Sequence, residues 1–217
     1  MLTHHDIKTR QRAIRDSFPS NLGLRVHRAI SWIGRAEAAA GDDDATFVFY
    51  WIAFNAAYAD EAALSSLSGE RSMFESYFQR IVALDGGKRV YRAIWDQFKS
   101  SIRVLLDNPY VFQPFWSHQN GVPGNEDWEA RFEKSRRRVH QALVHQDTQL
   151  VLTTLFDRLY VLRNQIVHGG ATWNSSINRD QLRDGARILA FLVPLFVDLM
   201  MDNPHTDWGA PHYPVVD

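Results

Sequence analysis

Arg163, Asn164 and His168 stand out by type and spacing in the run LRNQIVHGG, Leu162 to Gly170. A guanidinium offers a planar donor fork that matches phosphate oxygens. Imidazole is the side chain that exchanges a proton near neutral pH. The set therefore combines a phosphate clamp, an amide and a titratable base. The spacing predicts a helix over Asp147–His168, with Leu152, Leu155, Phe156, Leu159 and Ile166 on its core face. Arg163 falls near the middle of that stripe, which is costly unless the side chain is paired, reaches a functional opening or snorkels to the helix end. Asn164 and His168, four residues apart, share a second face. At about 100° per residue, Arg163 and His168 point roughly 140° apart on an ideal helix. They converge if the last turn unwinds, or if both line an edge where a second subunit packs.

Other residues could assist. Trp51, Phe54, Asn55 and Tyr58 occupy one stripe at i, i+3, i+4 and i+7. The three aromatics read as core, whereas a buried Asn55 amide needs partners and is expected to hold the Arg163–Asn164 region by a hydrogen bond. The segment RFEKSRRRV, Arg131 to Val139, carries five basic residues (Arg131, Lys134, Arg136, Arg137 and Arg138) and one acid. It could bind an RNA backbone. It could equally be a solvated helix face, or one paired with the acidic tail. His140 and His145 are five apart, poor spacing for one metal, and His4, His5, His205 and His212 lie at ends expected to be mobile. No metal site is expected. No P-loop or GxSxG motif is present.

The elements that must position these residues are helical. The pattern predicts helices over His5–Phe18, Asn21–Ala40, Ala45–Leu64, Ser68–Leu84, Lys88–Leu106, Glu126–Gln146, Asp147–His168 and Asn178–Met201. Asp42, Asp43 and Asp44 suit the N-terminus of the third. Pro194 is expected to kink or split the last. Residues 107–125 form the one long irregular stretch, aromatic enough to pack down (Tyr110, Phe112, Phe115, Trp116). A tail over 202–217 is expected to run extended on the surface. One all-α domain over 1–217, of about seven to eight helices, is the simplest account.

Composition narrows the function classes. The chain has 217 residues, 24 Lys+Arg against 25 Asp+Glu and a net charge of -1, so no overall positive excess marks a nucleic-acid coat. Seven Trp, 13 Phe and 7 Tyr exclude intrinsic disorder. With no cysteine, no disulfide or thiolate chemistry exists, which fits a reducing compartment. The N-terminus lacks the apolar region of a signal peptide. The longest apolar run, Ile188–Val197, is half the length a membrane span needs, roughly 20 residues. A cytoplasmic protein with no membrane contact is expected.

At Leu162–Gly170 the chain resembles the HEPN family of helical domains, whose motif is an Arg, four to six residues and then a His, often with a polar residue directly after the Arg. Arg163, Asn164 and His168 match it. The Gly-rich exit and the long apolar final helix fit as well. FYWIAFNAAY, Phe49 to Tyr58, is similar to an earlier core helix of some bacterial members. The resemblance is closest over 150–201 and looser over 45–64.

It implies a helical bundle, usually a homodimer, with no cofactor. Many members are metal-independent endoribonucleases in toxin–antitoxin, phage-defence and RNA-processing systems. Others are non-catalytic modules that bind RNA, a nucleotide or a partner protein. In the catalytic case the RNA 2′-hydroxyl attacks the adjacent phosphorus and leaves a 2′,3′-cyclic phosphate, a reaction that needs proton transfer and stabilisation of added negative charge. His168 would move the proton, Arg163 would hold the phosphate, and Asn164 would position the substrate or the His. A two-fold dimer would supply a second His168 for the second proton transfer. A toxin would also have an antitoxin or other regulatory partner.

Overall fold

The computed structural model describes residues 1–59, 69–176, 178–211, 213 and 215, the side chains of 69–72 aside. Ten α-helices form among them, and no β-strand does. They are α1 His4–Ile14, α2 Ser20–Glu37, α3 Asp43–Tyr58, α4 Gly69–Leu84 and α5 Arg89–Arg92. α6 Lys99–Leu106, α7 Gln113–Gln119, α8 Trp128–His145, α9 Thr148–Val167 and α10 Arg179–Asp202 follow. The expectations for residues 60–64 and Ser68, and for tail positions 212, 214, 216 and 217, fall outside the described residues.

Side-chain caps set several boundaries. The Thr3 hydroxyl accepts the Asp6 N–H while the Asp6 carboxylate accepts the Thr3 N–H, a capping box that starts α1. Asp42 accepts the Ala45 N–H at 3.0 Å and starts α3. Asp147 accepts the Leu150 N–H at 3.0 Å and starts α9. α10 runs through Pro194 unbroken, so of the expected kink or split the split does not occur. Pro194 is buried, and packing along the whole helix outweighs the one backbone bond it removes.

Two departures raise the helix count. The fifth expected helix, Lys88–Leu106, is interrupted by a π-helical segment at Ala93–Gln97, where the Phe98 N–H bonds the Ala93 carbonyl at 3.0 Å. The irregular stretch supplies the second. Asn108 caps a short 3₁₀ turn at Pro109–Val111, and α7 starts with Pro114 in its first turn, where a missing N–H is harmless. The aromatics of this stretch do pack, Phe112 on Phe132 and Phe115 on Trp128.

The core is aromatic where α3, α4, α9 and α10 meet. Phe54 lies 4.4 Å from both Phe156 and Tyr58, and Phe78 lies 4.7 Å from Phe156. Phe74 and Phe196 complete the cluster. α2 lies along α3, and α10 crosses both. At Gly185 of α10 the absent side chain admits Phe47 of α3 and Leu159 of α9.

Charged side chains stitch distant segments. Asp198 and Asp202, one turn apart on α10, each accept hydrogen bonds from Arg10 of α1 and from Arg89 of α5, the latter at 2.6 Å. Arg25 of α2 is fully buried and donates to the carbonyls of Ala57, Ala59, Gly209 and Ala210 at 2.7–3.2 Å. The described part of the tail runs along the surface, half-buried or exposed except at Trp208 and Pro211, and is pinned there through Gly209 and Ala210. Trp208 is buried against Tyr77, its indole N–H bonding the Asn203 carbonyl. No helix among the described residues is long and apolar enough to cross a membrane.

Candidate functional site

α9 carries the site, and its burial changes along its length. From Val151 to Leu162 apolar side chains surround the helix and sink it into the core between α4, α6 and α8. Past Leu162 the helix leaves the core. Arg163, Asn164, Gln165 and Ile166 are half-buried, and Val167 and His168 are exposed.

Arg163 is thus not in the middle of a buried stripe, because the stripe ends one residue before it. Its guanidinium donates to the Asn164 side-chain oxygen at 2.9 Å and lies 6.0 Å from the centre of the Tyr160 ring. His168 closes the helix. Its backbone N–H bonds the Asn164 carbonyl at 3.0 Å, and its ring faces solvent. The structure brings Arg163 and Asn164 together directly. It joins His168 to Asn164 only through the backbone. No contact among the described residues links the imidazole to Arg163.

The exit from α9 is shaped by glycine. Gly169 has φ +72°, a conformation that favours glycine. A Cβ at Gly170 would stand 3.1 Å from the Gln165 carbonyl oxygen. Both turn the chain away at once, leaving His168 uncovered.

Gln165, inside the motif, is a strut that sequence reasoning missed. Its amide N–H₂ donates to the Tyr110 carbonyl at 2.7 Å, and its oxygen accepts from Asn178 at 2.8 Å. It fixes the end of α9 to the irregular stretch on one side and to the start of α10 on the other. Arg179 in turn ties the start of α10 to α3 by bonding Asp44 at 2.7 Å. Asp42, across from the exit loop, accepts from the Trp173 indole at 3.1 Å. The Ala45 N–H first, and this indole after it, hold the Asp42 carboxyl below the usual carboxylate range.

Asn55 does not hold the motif. It sits half-buried in the last turns of α3 and makes no hydrogen bond to Arg163 or Asn164. A half-buried amide can satisfy itself from water, so the need for a protein partner lapses.

The basic segment resolves into two groups. Arg131, Lys134 and Arg138 line a cleft of about 610 Å³ between α8 and α9, whereas Arg136 and Arg137 do not. Arg136 pairs with Glu133 at 3.3 Å, and Arg137 is exposed. None of the five pairs with the acidic tail among the described residues. The nearest acids, Asp127 and Glu133, belong to the same helix region.

The opposite wall is α9 itself, presenting Thr154, Asp157, Arg158 and Val161 at i, i+3, i+4 and i+7, with Tyr160 beside them. Phe112, Gln113, Pro114 and Phe74 complete the lining. Arg158 is only 3% exposed. It donates to the Ser135 hydroxyl at 3.1 Å and lies 4.4 Å over the Phe112 ring. The sequence signal for Arg158 was available: apolar residues stand on both sides of it along the helix, at Leu155, Leu159, Val161 and Leu162.

Among the described residues no group of three His, Asp or Glu could hold a metal ion. His140 instead bonds Asp107 at 2.8 Å and ties α8 to the end of α6. Against protein-family models, curated proteins and solved structures, the chain has no match.

Proposed function

We propose that the protein is a metal-independent endoribonuclease of the HEPN type, acting as a homodimer in the cytoplasm as a toxin or phage-defence effector. One observation carries the reading. The hydrogen-bonded Arg163–Asn164 pair lies between an exposed His168 and a cleft lined by four basic side chains. A single-stranded RNA would meet positive charge first, then the Arg163 fork, then the exposed His168.

Arg163 holds the scissile phosphate and stabilises charge that builds on its oxygens, and Asn164 keeps the guanidinium aimed. His168 takes the 2′-hydroxyl proton. The leaving 5′-oxygen needs a proton in return, and His168 of a second copy can donate it. Val167, next to His168 in the chain, is 49% exposed, and Trp173 of the exit loop 73%, apolar surface suited to such a copy. DNA lacks the attacking hydroxyl and resists cleavage.

The alternative is a HEPN module that binds RNA, a nucleotide or an antitoxin-like partner without cutting. It is favoured by the separation of the His168 ring from Arg163. An RNA-cleavage assay in excess EDTA decides between the two. Cyclic-phosphate ends from the wild type, lost in both His168→Ala and Arg163→Ala, support the ribonuclease. A folded dimer that leaves a broad panel of RNAs uncut refutes it.

A further inference from the structure

The α8–α9 cleft is larger than ion binding needs and falls in the size range of small-molecule sites, roughly 300–1,000 Å³. Its two sides differ in chemistry. Arg131, Lys134 and Arg138 lie along one face of α8, while Phe112, Pro114 and Tyr160 provide apolar surface. Four basic side chains line it against one acid, Asp157.

These cations are not equally engaged. Arg131 bonds Asn125 at 3.2 Å and lies 3.9 Å from the Asp127 carboxylate. Arg158 is committed to Ser135 and the Phe112 ring. Lys134 and Arg138 are both exposed, and among the described residues neither has an ion-pair partner. They stand four residues apart, so they repel each other across one helical turn. Such a pair beside an apolar wall is a receptor for an anion that carries a flat apolar group.

The cleft also adjoins the candidate catalytic residues. Tyr160 lines it and is the ring against which Arg163 lies. His168 is eight residues beyond Tyr160, roughly 12 Å along the helix axis. Three to four stacked nucleotides span that distance at about 3.4 Å each.

We infer that the cleft seats one nucleotide of a single-stranded RNA, its phosphate on Lys134 and Arg138 and its base against Phe112, Pro114 and Tyr160. The bound strand then continues along α9 toward Arg163. The strand's course rests on the ribonuclease reading, and the occupancy of the cleft does not. Lys134 and Arg138 are binding residues here, and the chemical step belongs to others.

The test uses the full-length His168→Ala protein, which leaves RNA intact, and a fluorescein-labelled single-stranded RNA of about a dozen nucleotides. Affinity is read by anisotropy over a salt series, with and without Lys134→Ala plus Arg138→Ala. Losing two phosphate contacts flattens the salt dependence by about 1.4 in log–log slope, twice the ~0.7 per single-strand contact. Between 50 and 200 mM salt the parent then weakens roughly sevenfold more than the double variant. In the cleavage assay the same pair, made in the wild type, raises KM about tenfold and leaves kcat in place. Arg136→Ala plus Arg137→Ala removes equal charge from the same helix outside the cleft, and it changes KM little.

Equal effects from both pairs would overturn the cleft in favour of diffuse attraction. Unchanged binding and KM on removal of Lys134 and Arg138 would also overturn it, with the ribonuclease left standing. Tighter binding of free AMP than of the oligonucleotide would overturn the strand assignment. Cleft-dependent binding by a wild type that cuts nothing would uphold the cleft while the ribonuclease reading fails.

Discussion

Gly185 makes a quantitative test of how α9 is held. An ideal Cβ there would stand 3.0 Å from Phe47 Cε2, 3.1 Å from Leu159 Cδ2 and 3.3 Å from Phe47 Cδ2. Carbon atoms rest comfortably at about 3.5–4.0 Å. Gly185→Ala must therefore part α3, α9 and α10 by roughly half an ångström at the point where they cross. Both neighbours are fully buried, so neither can swing into solvent. Overpacking of this kind costs about 1–3 kcal/mol. Replacing a mid-helix glycine by alanine returns about 1 kcal/mol of helix propensity. The balance is a loss of up to about 2 kcal/mol, or several degrees in Tm for a chain of this length. Urea unfolding reads it as a lower midpoint at unchanged m. Leu159 lies one turn before Arg163, so under the proposed ribonuclease function the cleavage rate per folded molecule falls as well. Gly185→Val, with two more methyl groups at the crossing, falls further. A Gly185→Ala protein more stable than wild type would refute the close three-helix approach.

Two further outcomes concern titration. Asp42→Ala removes the α3 N-cap and lowers stability by about 1 kcal/mol, whereas Asp42→Asn, itself a good cap, loses less. The carboxyl is depressed in the folded state, so its contribution is present above the unfolded value near pH 4. That contribution is lost as pH falls through the folded value, and urea midpoints measured from pH 7 down to 3 will converge for wild type and Asp42→Asn. Burial pushes the Tyr50 hydroxyl up to about 12, with Glu37 adding to it, and burial raises Tyr77 as well. Because both pKa values are raised, the folded state is favoured below the ordinary value near 10 and loses that advantage as pH climbs through the folded values. Absorbance at 295 nm in an alkaline titration at pH 11 will then report no more than five of the seven tyrosines until the protein unfolds.

Helix positions were legible because they rest on local chemistry. The Asp42 and Asp147 caps, and the apolar spacing of α2, α3, α9 and α10, depend on residues a turn or two apart. The π-helical segment at Ala93–Gln97 was not legible, since it is a shift in hydrogen-bond register that leaves the apolar spacing intact. Arg163 was expected inside a buried stripe and is half-buried instead. A helical wheel reports direction around the axis and carries no information on where along the axis the core stops. Arg158 shows the complementary failure. It lies off the chosen stripe, yet α8 and Phe112 cover that side too. Gln165 was overlooked because its role consists of backbone and amide partners at Tyr110 and Asn178, which no spacing rule connects. The split of the basic segment into cleft-lining Lys134 and Arg138 and outward Arg136 and Arg137 likewise required knowing which side of α8 meets α9.

The Arg10–Arg89–Asp198–Asp202 network bears on the order in which the molecule is made. Arg10 and Asp198 are separated by 188 residues and Arg89 and Asp198 by 109. Arg25 reaches over 184 residues to Gly209. Helical proteins fold fast when their contacts are local, and bonds across such spans must await closure of nearly the whole chain. Local helices form early, and the ionic seam and the tail clasp close late. Interactions absent from the folding transition state leave the folding rate alone and slow unfolding instead. The seam thus acts as a latch on the finished molecule, and weakening it shortens the lifetime of the native state more than it delays its arrival.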